Sequence, residues 1–239
     1  MKNMMKRNAT FLDDDEHLPI RNSAFARLPY CTIGELDNGC STTVFTGPYH
    51  ALTATSCVYN TATNTWRGNY DVIRRRNCNC TGTRMTGTAV WSVTGYTTNH
   101  LPQHNYVLII TSSTWWSPCW VGFGYASPWT NRELDLIGYP TDKRTTFGCL
   151  YHSACSSSCH FSSTAHSGET LTYRCDAVGT YGAPLMSEAR DKAGQDLGQH
   201  AVYGVHAYQA LHRYWNLDKW SIETQIVGWM HNSGYGPLG

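Results

Sequence analysis

The sequence has no long apolar run. Its longest, Tyr106-Val107-Leu108-Ile109-Ile110, falls far short of the roughly 18 residues that a bilayer-spanning helix needs, so no membrane span is expected. Neither charge is in excess: 18 Lys and Arg stand against 17 Asp and Glu, a formal net charge of +1. That balance removes the electrostatic case for nucleic acid or an anionic membrane as partner. The positively charged start, Met1 to Arg7, lacks the apolar stretch of a secretory signal behind it. Two readings follow from that lack, a signal already removed or a cytosolic protein. Helical periodicity is scarce as well.

Cysteine is present in quantity, and it decides between those two readings. There are ten cysteines, an even number, beside glycosylation sequons at Asn8 (Asn8-Ala9-Thr10) and Asn79 (Asn79-Cys80-Thr81). Together they fit an oxidising compartment and a secreted chain with up to five disulfides. Cys149, Cys155, Cys159 and His160 could in number close a zinc site, but in a secreted β protein disulfides are the simpler use. Neither metal nor cofactor is expected.

Residues 1–19 carry the acidic block Asp13-Asp14-Asp15-Glu16 and little apolar content, as a flexible arm or propeptide remnant would. From Ile20 onward, short runs rich in Val, Ile, Thr, Tyr and Trp are broken by Gly, Asn, Pro and Ser, the text of an all-β barrel or sandwich. Strands are expected at Tyr30–Leu36, Thr43–Thr46, Ala51–Ala54, Tyr70–Arg74, Gly87–Thr94 and Tyr106–Thr111, then at Leu134–Gly138, Thr145–Tyr151, Leu171–Cys175 and Ala201–Ala207. The Ser/Trp/Pro/Gly-rich stretch Ser112 to Thr130 between the two sets reads as a crossing linker. Two β units follow, residues 20–115 and 116–239. The polar run Ser187 to Gln199 reads as a surface loop, and Ile222, Ile226, Val227 and Met230 share one face of a terminal helix over Lys219 to His231.

Several segments, in order, resemble the chymotrypsin-fold serine proteases, in particular the V8-like or glutamyl-endopeptidase branch. Cys40-Ser41-Thr42-Thr43-Val44 and Ala51-Leu52-Thr53-Ala54-Thr55-Ser56-Cys57-Val58-Tyr59 are similar to that family's Gly-Cys-Ser-Gly-Thr and Leu-Thr-Ala-Gly-His-Cys-Val-Tyr segments. His104-Asn105-Tyr106-Val107-Leu108-Ile109-Ile110 is similar to its Tyr-Asp-Tyr-Ala-Leu-Ile strand. Gly179-Thr180-Tyr181-Gly182-Ala183-Pro184, preceded by Cys175-Asp176, resembles its nucleophile turn Gly-Asn-Ser-Gly-Ser-Pro. The resemblance implies two six-stranded antiparallel β-barrels, a terminal α-helix and a cleft between the barrels. It also implies a Cys40–Cys57 disulfide, and Cys175 is expected to pair with Cys149 or Cys159.

Against that family pattern all three catalytic positions are replaced: Ser56 stands for the base histidine, Asn105 for the aspartate and Tyr181 for the serine. Acyl transfer needs a hydroxyl nucleophile, an imidazole to take its proton and a carboxylate to hold the imidazole. A serine has no base near neutral pH, an asparagine carries no charge, and a phenol with a reference pKa of about 10 is a poor nucleophile toward amides. His104 precedes Asn105 on an alternating strand and is expected on the opposite face. Backbone N–H groups of Gly179 and Tyr181 would form the remnant of an oxyanion hole, and His206 matches the histidine that lines the family's pocket for an acidic side chain.

The expectation is therefore a secreted pseudoprotease. It would bind a protein or peptide in the inter-barrel cleft as regulator, decoy or structural protein, and its oligomeric state is left open. Two alternatives stand beside it. One is an active hydrolase with relocated residues. The other is a glycan-binding or matrix module that uses tryptophans such as Trp66, Trp91, Trp115, Trp116 and Trp120 together with Arg74-Arg75-Arg76, a run expected at a solvated strand end.

Overall fold

A computed structural model describes residues 18–20, 26–37, 40, 43–74, 82–101, 104–112, 119–123, 135–139, 153–155, 166–167, 170–172, 182–190, 196–208 and 213–216. The strands are β1 (Leu18–Pro19), β2 (Ile33–Leu36), β3 (Thr43–Gly47), β4 (His50–Thr53), β5 (Tyr59–Asn60), β6 (Thr65–Trp66), β7 (Val72–Arg74), β8 (Thr83–Met85), β9 (Gly87–Ser92) and β10 (Val107–Thr111). They continue with β11 (Gly122–Phe123), β12 (Asp135–Gly138), β13 (Ser153–Cys155), β14 (His166–Ser167), β15 (Thr170–Thr172), β16 (Pro184–Arg190), β17 (Asp196–Tyr208) and β18 (Arg213–Asn216). The α-helix among the described residues is short, α1 (Thr94–Asn99). The fold is all-β, as expected.

The first sheet runs β8-β7-β2-β3-β4-β10-β9, every described pairing antiparallel. Its two outermost strands, β8 and β9, are separated in sequence by Thr86 alone. Neighbouring Cα atoms are about 3.8 Å apart, so the two ends of the sheet must meet, and the sheet curls closed as a barrel. Thr83–Ser92 is thus one bent strand that pairs at both seams, which reconciles seven ladder segments with six expected strands. Gly87 sits at the corner for a steric reason: a Cβ there would collide with the Tyr70 backbone.

The second sheet runs β1-β13-β12-β16-β17-β18-β15-β14, with β11 added in parallel to β17. Two expectations are corrected here. Leu18–Pro19, the end of the stretch read as a flexible arm, pairs with Ser153–Ala154 at the edge of this sheet. The polar run from Ser187 to Gln199, read as a loop, belongs to β16 as far as Arg190 and to β17 from Asp196, two strands that pair with each other. Backbone pairing is indifferent to side-chain polarity, so the composition of the run was a poor guide. The expected strand at Thr145–Tyr151 and the terminal helix at Lys219–His231 lie outside the described residues.

The core is continuous between the two sheets. Ile33, Leu36, Phe45, Leu52, Leu108 and Ile109 of the first sheet share one buried cluster with Val121 and with Ile137, Met186, Val202 and Val205 of the second. β2, β4 and β10 are buried at every residue; enclosure on both faces matches the near-unbroken apolar text of β10, whereas β2 and β4 also enclose Glu35, His50 and Thr53. Among the described residues Arg74 is the largest fully buried side chain. Its Nε donates to the carbonyl of Cys31 at 2.7 Å and a terminal nitrogen donates to the carbonyl of Cys119 at 3.4 Å, while its guanidinium lies 5.4 Å from the centre of the Phe45 ring. Cys31 and Cys119 are themselves joined by a disulfide. Arg74 is therefore no solvated strand end. Among the described residues no helix is long and apolar enough to cross a membrane.

Candidate functional site

β4 leaves the first barrel through Ala54, which is extended (φ −76°, ψ 139°), and enters a single 3₁₀ turn, Thr55–Cys57. The turn closes by bonds from the Cys57 N–H to the Ala54 carbonyl (3.0 Å) and from the Val58 N–H to the Thr55 carbonyl (2.9 Å). A disulfide from Cys57 to Cys40 fixes it from one side, the pairing that the family resemblance implied. From the other side, the buried Thr55 hydroxyl donates to the Tyr106 carbonyl at 2.8 Å and lies 3.0 Å from the Ser92 hydroxyl. Ser56 rides on this turn, half-buried.

Asn105 arrives by strand register. β10 and β4 pair with Val107 opposite Thr53, and continuing that antiparallel register past the strand ends carries Asn105 alongside the 3₁₀ turn. Asn105 is fully buried. Its Oδ1 accepts the Ser56 backbone N–H at 2.8 Å, and its Nδ2 donates to Ser56 Oγ at 3.3 Å. The two residues singled out 49 positions apart thus form one two-point contact. That contact is neutral: a hydroxyl and a carboxamide, neither of which titrates near pH 7.

The neighbouring histidines go elsewhere. His104 packs on α1, where a Cβ at Gly95 would collide with its Nδ1, while Asn105 reaches Ser56. His50, fully buried at the start of β4, stands across the sheet from Gly47 and Ile110, and burial lowers its pKa to about 4. It is neutral at physiological pH. Among the described residues no group of three His, Cys, Asp or Glu is placed to hold a metal ion.

In the second sheet, Gly182 is buried and adopts φ 80°, a left-handed conformation that favours glycine. Pro184 follows as the first residue of β16 and lies opposite Val205 of β17, so the next residue, His206, is placed on the β17 stretch beside Ala183. The second half of the Gly-bracketed turn is therefore built against the strand that carries His206. Gly179, Tyr181, Cys149, Cys159, Cys175, Asn8 and Asn79 lie outside the described residues, as do Arg75, Arg76, Trp115 and Trp116.

The sequence reading missed Thr55, Ser92 and the Tyr106 carbonyl, the small network that holds the 3₁₀ turn against β10. Hydroxyl residues are too common in this text for two of them to have stood out. It also missed the Cys31–Cys119 disulfide, whose partners are 88 residues apart.

No family model matches the sequence, and no curated protein matches it. Solved structures do match. One of them, a Glu endopeptidase in complex with MPD, superimposes with a TM-score of 0.75 at 20% identity, over 93% of this chain and 98% of that one. The fold is chymotrypsin-like. At that identity the likeness is one of architecture, a serine-protease-like fold carrying the Ser56–Asn105 contact described above.

Proposed function

We propose that this chain is a catalytically inactive serine-protease homologue, secreted, that works by binding a protein or peptide in the cleft of the fold. The observation that carries the reading is the Ser56–Asn105 contact. On a chymotrypsin-like scaffold, the resemblance puts the base histidine and its orienting aspartate at these two positions. Here they are joined by a pair of neutral hydrogen bonds that cannot accept a proton from a nucleophile or stabilise an imidazolium. With Tyr181 at the nucleophile position, no member of the triad remains, and residual catalysis in protease examples that lose one member is only on the order of 10³ to 10⁴ over water. Two disulfides within the described residues are in keeping with an extracellular protein.

The glycan-binding alternative is weakened by the burial of Arg74, whose guanidinium is committed to the Cys31 and Cys119 carbonyls. The reading is tested with a serine-reactive fluorophosphonate probe on the purified full chain. No covalent adduct is expected, whereas the triple variant Ser56→His, Asn105→Asp, Tyr181→Ser is expected to label. Labelling of the unmodified chain would support relocated catalytic residues instead.

A further inference from the structure

Residues 119–123, within the stretch read from sequence as a crossing linker, are fixed at both ends. At the first end a disulfide joins Cys119 to Cys31, which stands at the entrance to β2. The Cys119 carbonyl accepts from Arg74 of β7 at 3.4 Å, and the Val121 N–H donates to the Phe45 carbonyl of β3 at 3.0 Å. The Val121 side chain is buried in the core that both sheets share, and Trp120 packs against it. The next two residues, Gly122 and Phe123, are β11, paired in parallel with Ala201 and Val202 of β17. A short segment therefore bridges β2, β3 and β7 of the first sheet to β17 of the second.

On β17 that segment fills a gap. β16 runs along one side of the strand from Asp196 to Val205, and β18 takes the other side from Gly204 to Tyr208. A strand has two sides, so β11 lies on the β18 side, at Ala201 and Val202, which the β18 pairing does not reach. If the segment were released, backbone groups of these two residues would lose the partner β11 gives them.

We propose that residues 119–123 act as a strut between the two sheets, and that the Cys31–Cys119 bond, by anchoring the first-sheet end, sets how firmly β17 is held. Its loop of 88 residues encloses the first barrel, so on chain entropy alone the benefit of this disulfide would fall there. The strut gives it a second effect in the other sheet. β17 carries His206, and β4 of the first barrel leads into the Ser56 turn, so the strut ties together the elements that bear the two halves of the candidate site. The inference concerns the frame alone and holds whether that site binds or cleaves.

The test is hydrogen exchange of the full chain, read by mass spectrometry, in the double variant Cys31→Ala with Cys119→Val, which opens the tie and keeps apolar groups in the buried space. Exchange at Ala201 and Val202 is expected to rise on the order of tenfold, a typical coupling between two sites. Much smaller changes are expected at residues 204–208 of the same strand, where β18 remains, and at residues 108–110 of β10. A uniform loss of stability would instead raise all three together. That outcome, or no rise at Ala201 and Val202, would overturn the proposal. A second variant, Gly122→Pro, leaves both disulfides in place. The glycine is exposed and a Cβ there meets nothing within 4 Å, so the ring has room while β11 loses one N–H. The same selective rise is expected, smaller in size; its absence would overturn the strut even where the cysteine variant does not fold. In Cys40→Ser with Cys57→Ser, exchange at Ala201 and Val202 is expected to keep its ratio to that of β10, and a selective rise there would show that the effect does not belong to the Cys31–Cys119 tie.

Discussion

Arg74 and Asn105 are both polar, fully buried and hydrogen-bonded to backbone, yet they occupy two regions of opposite character. Arg74 binds the carbonyls of Cys31 and Cys119, which are themselves buried, and a disulfide joins those two residues beneath it. Every group in that cluster is enclosed. Asn105 binds Ser56, which is half-exposed, through both the backbone and the side chain. A buried polar group whose partners are also buried acts as scaffold. One whose partner is half-exposed fixes the position of a side chain that solvent can reach.

The scaffold side of this contrast breaks with the largest effect. Replacing Cys31 and Cys119 together by Ser opens a loop of 88 residues and is expected to cost about 4.5 kcal/mol, against about 3 kcal/mol for Cys40 and Cys57, which close only 17. Urea unfolding of the two double variants ranks them, and the reverse order would show that the clasp around Arg74 is not the stronger tie. Arg74→Met removes the charge and leaves the Cys31 and Cys119 carbonyls without that donor. The expected loss is about 2 to 4 kcal/mol with no change in ligand binding at Ser56.

A smaller and pH-dependent effect comes from His50. Unfolded, its imidazole titrates near 6.5; folded, burial lowers the value to about 4. Between those values the unfolded chain takes up a proton that the folded chain refuses. Stability is therefore fully present above pH 6.5 and is lost as pH falls toward 4, by on the order of 3 kcal/mol. The pH dependence of the urea midpoint should be shallower in His50→Gln over that window, and an equal slope in both proteins would contradict the assignment.

Much of the first barrel was legible in the sequence because short runs rich in Val, Ile, Thr and aromatic residues stand between turn residues, most plainly in β10, which is enclosed on both faces. Thr83–Met85 escaped notice because Thr-Arg-Met, between Gly82 and Gly87, has no apolar period; its place at the barrel seam is a property of closure. Arg74 was misread as solvated, since its acceptors lie 43 and 45 residues away and no local pattern announces them. For the candidate site, Ser56 and Asn105 were located through family resemblance. Their hydrogen bonds depend on which amide atom meets the Ser56 N–H, a fact of three-dimensional geometry alone.

The central claim, that the Ser56–Asn105 pair belongs to a site given over to binding, is tested most directly by incubating the purified full chain with a mixed peptide library rich in Glu-containing sequences and reading the products by mass spectrometry. The account predicts no cleavage above that of the Ser56→Ala variant. Turnover of Glu-containing peptides that disappears on mutating Tyr181 or His206 would contradict it.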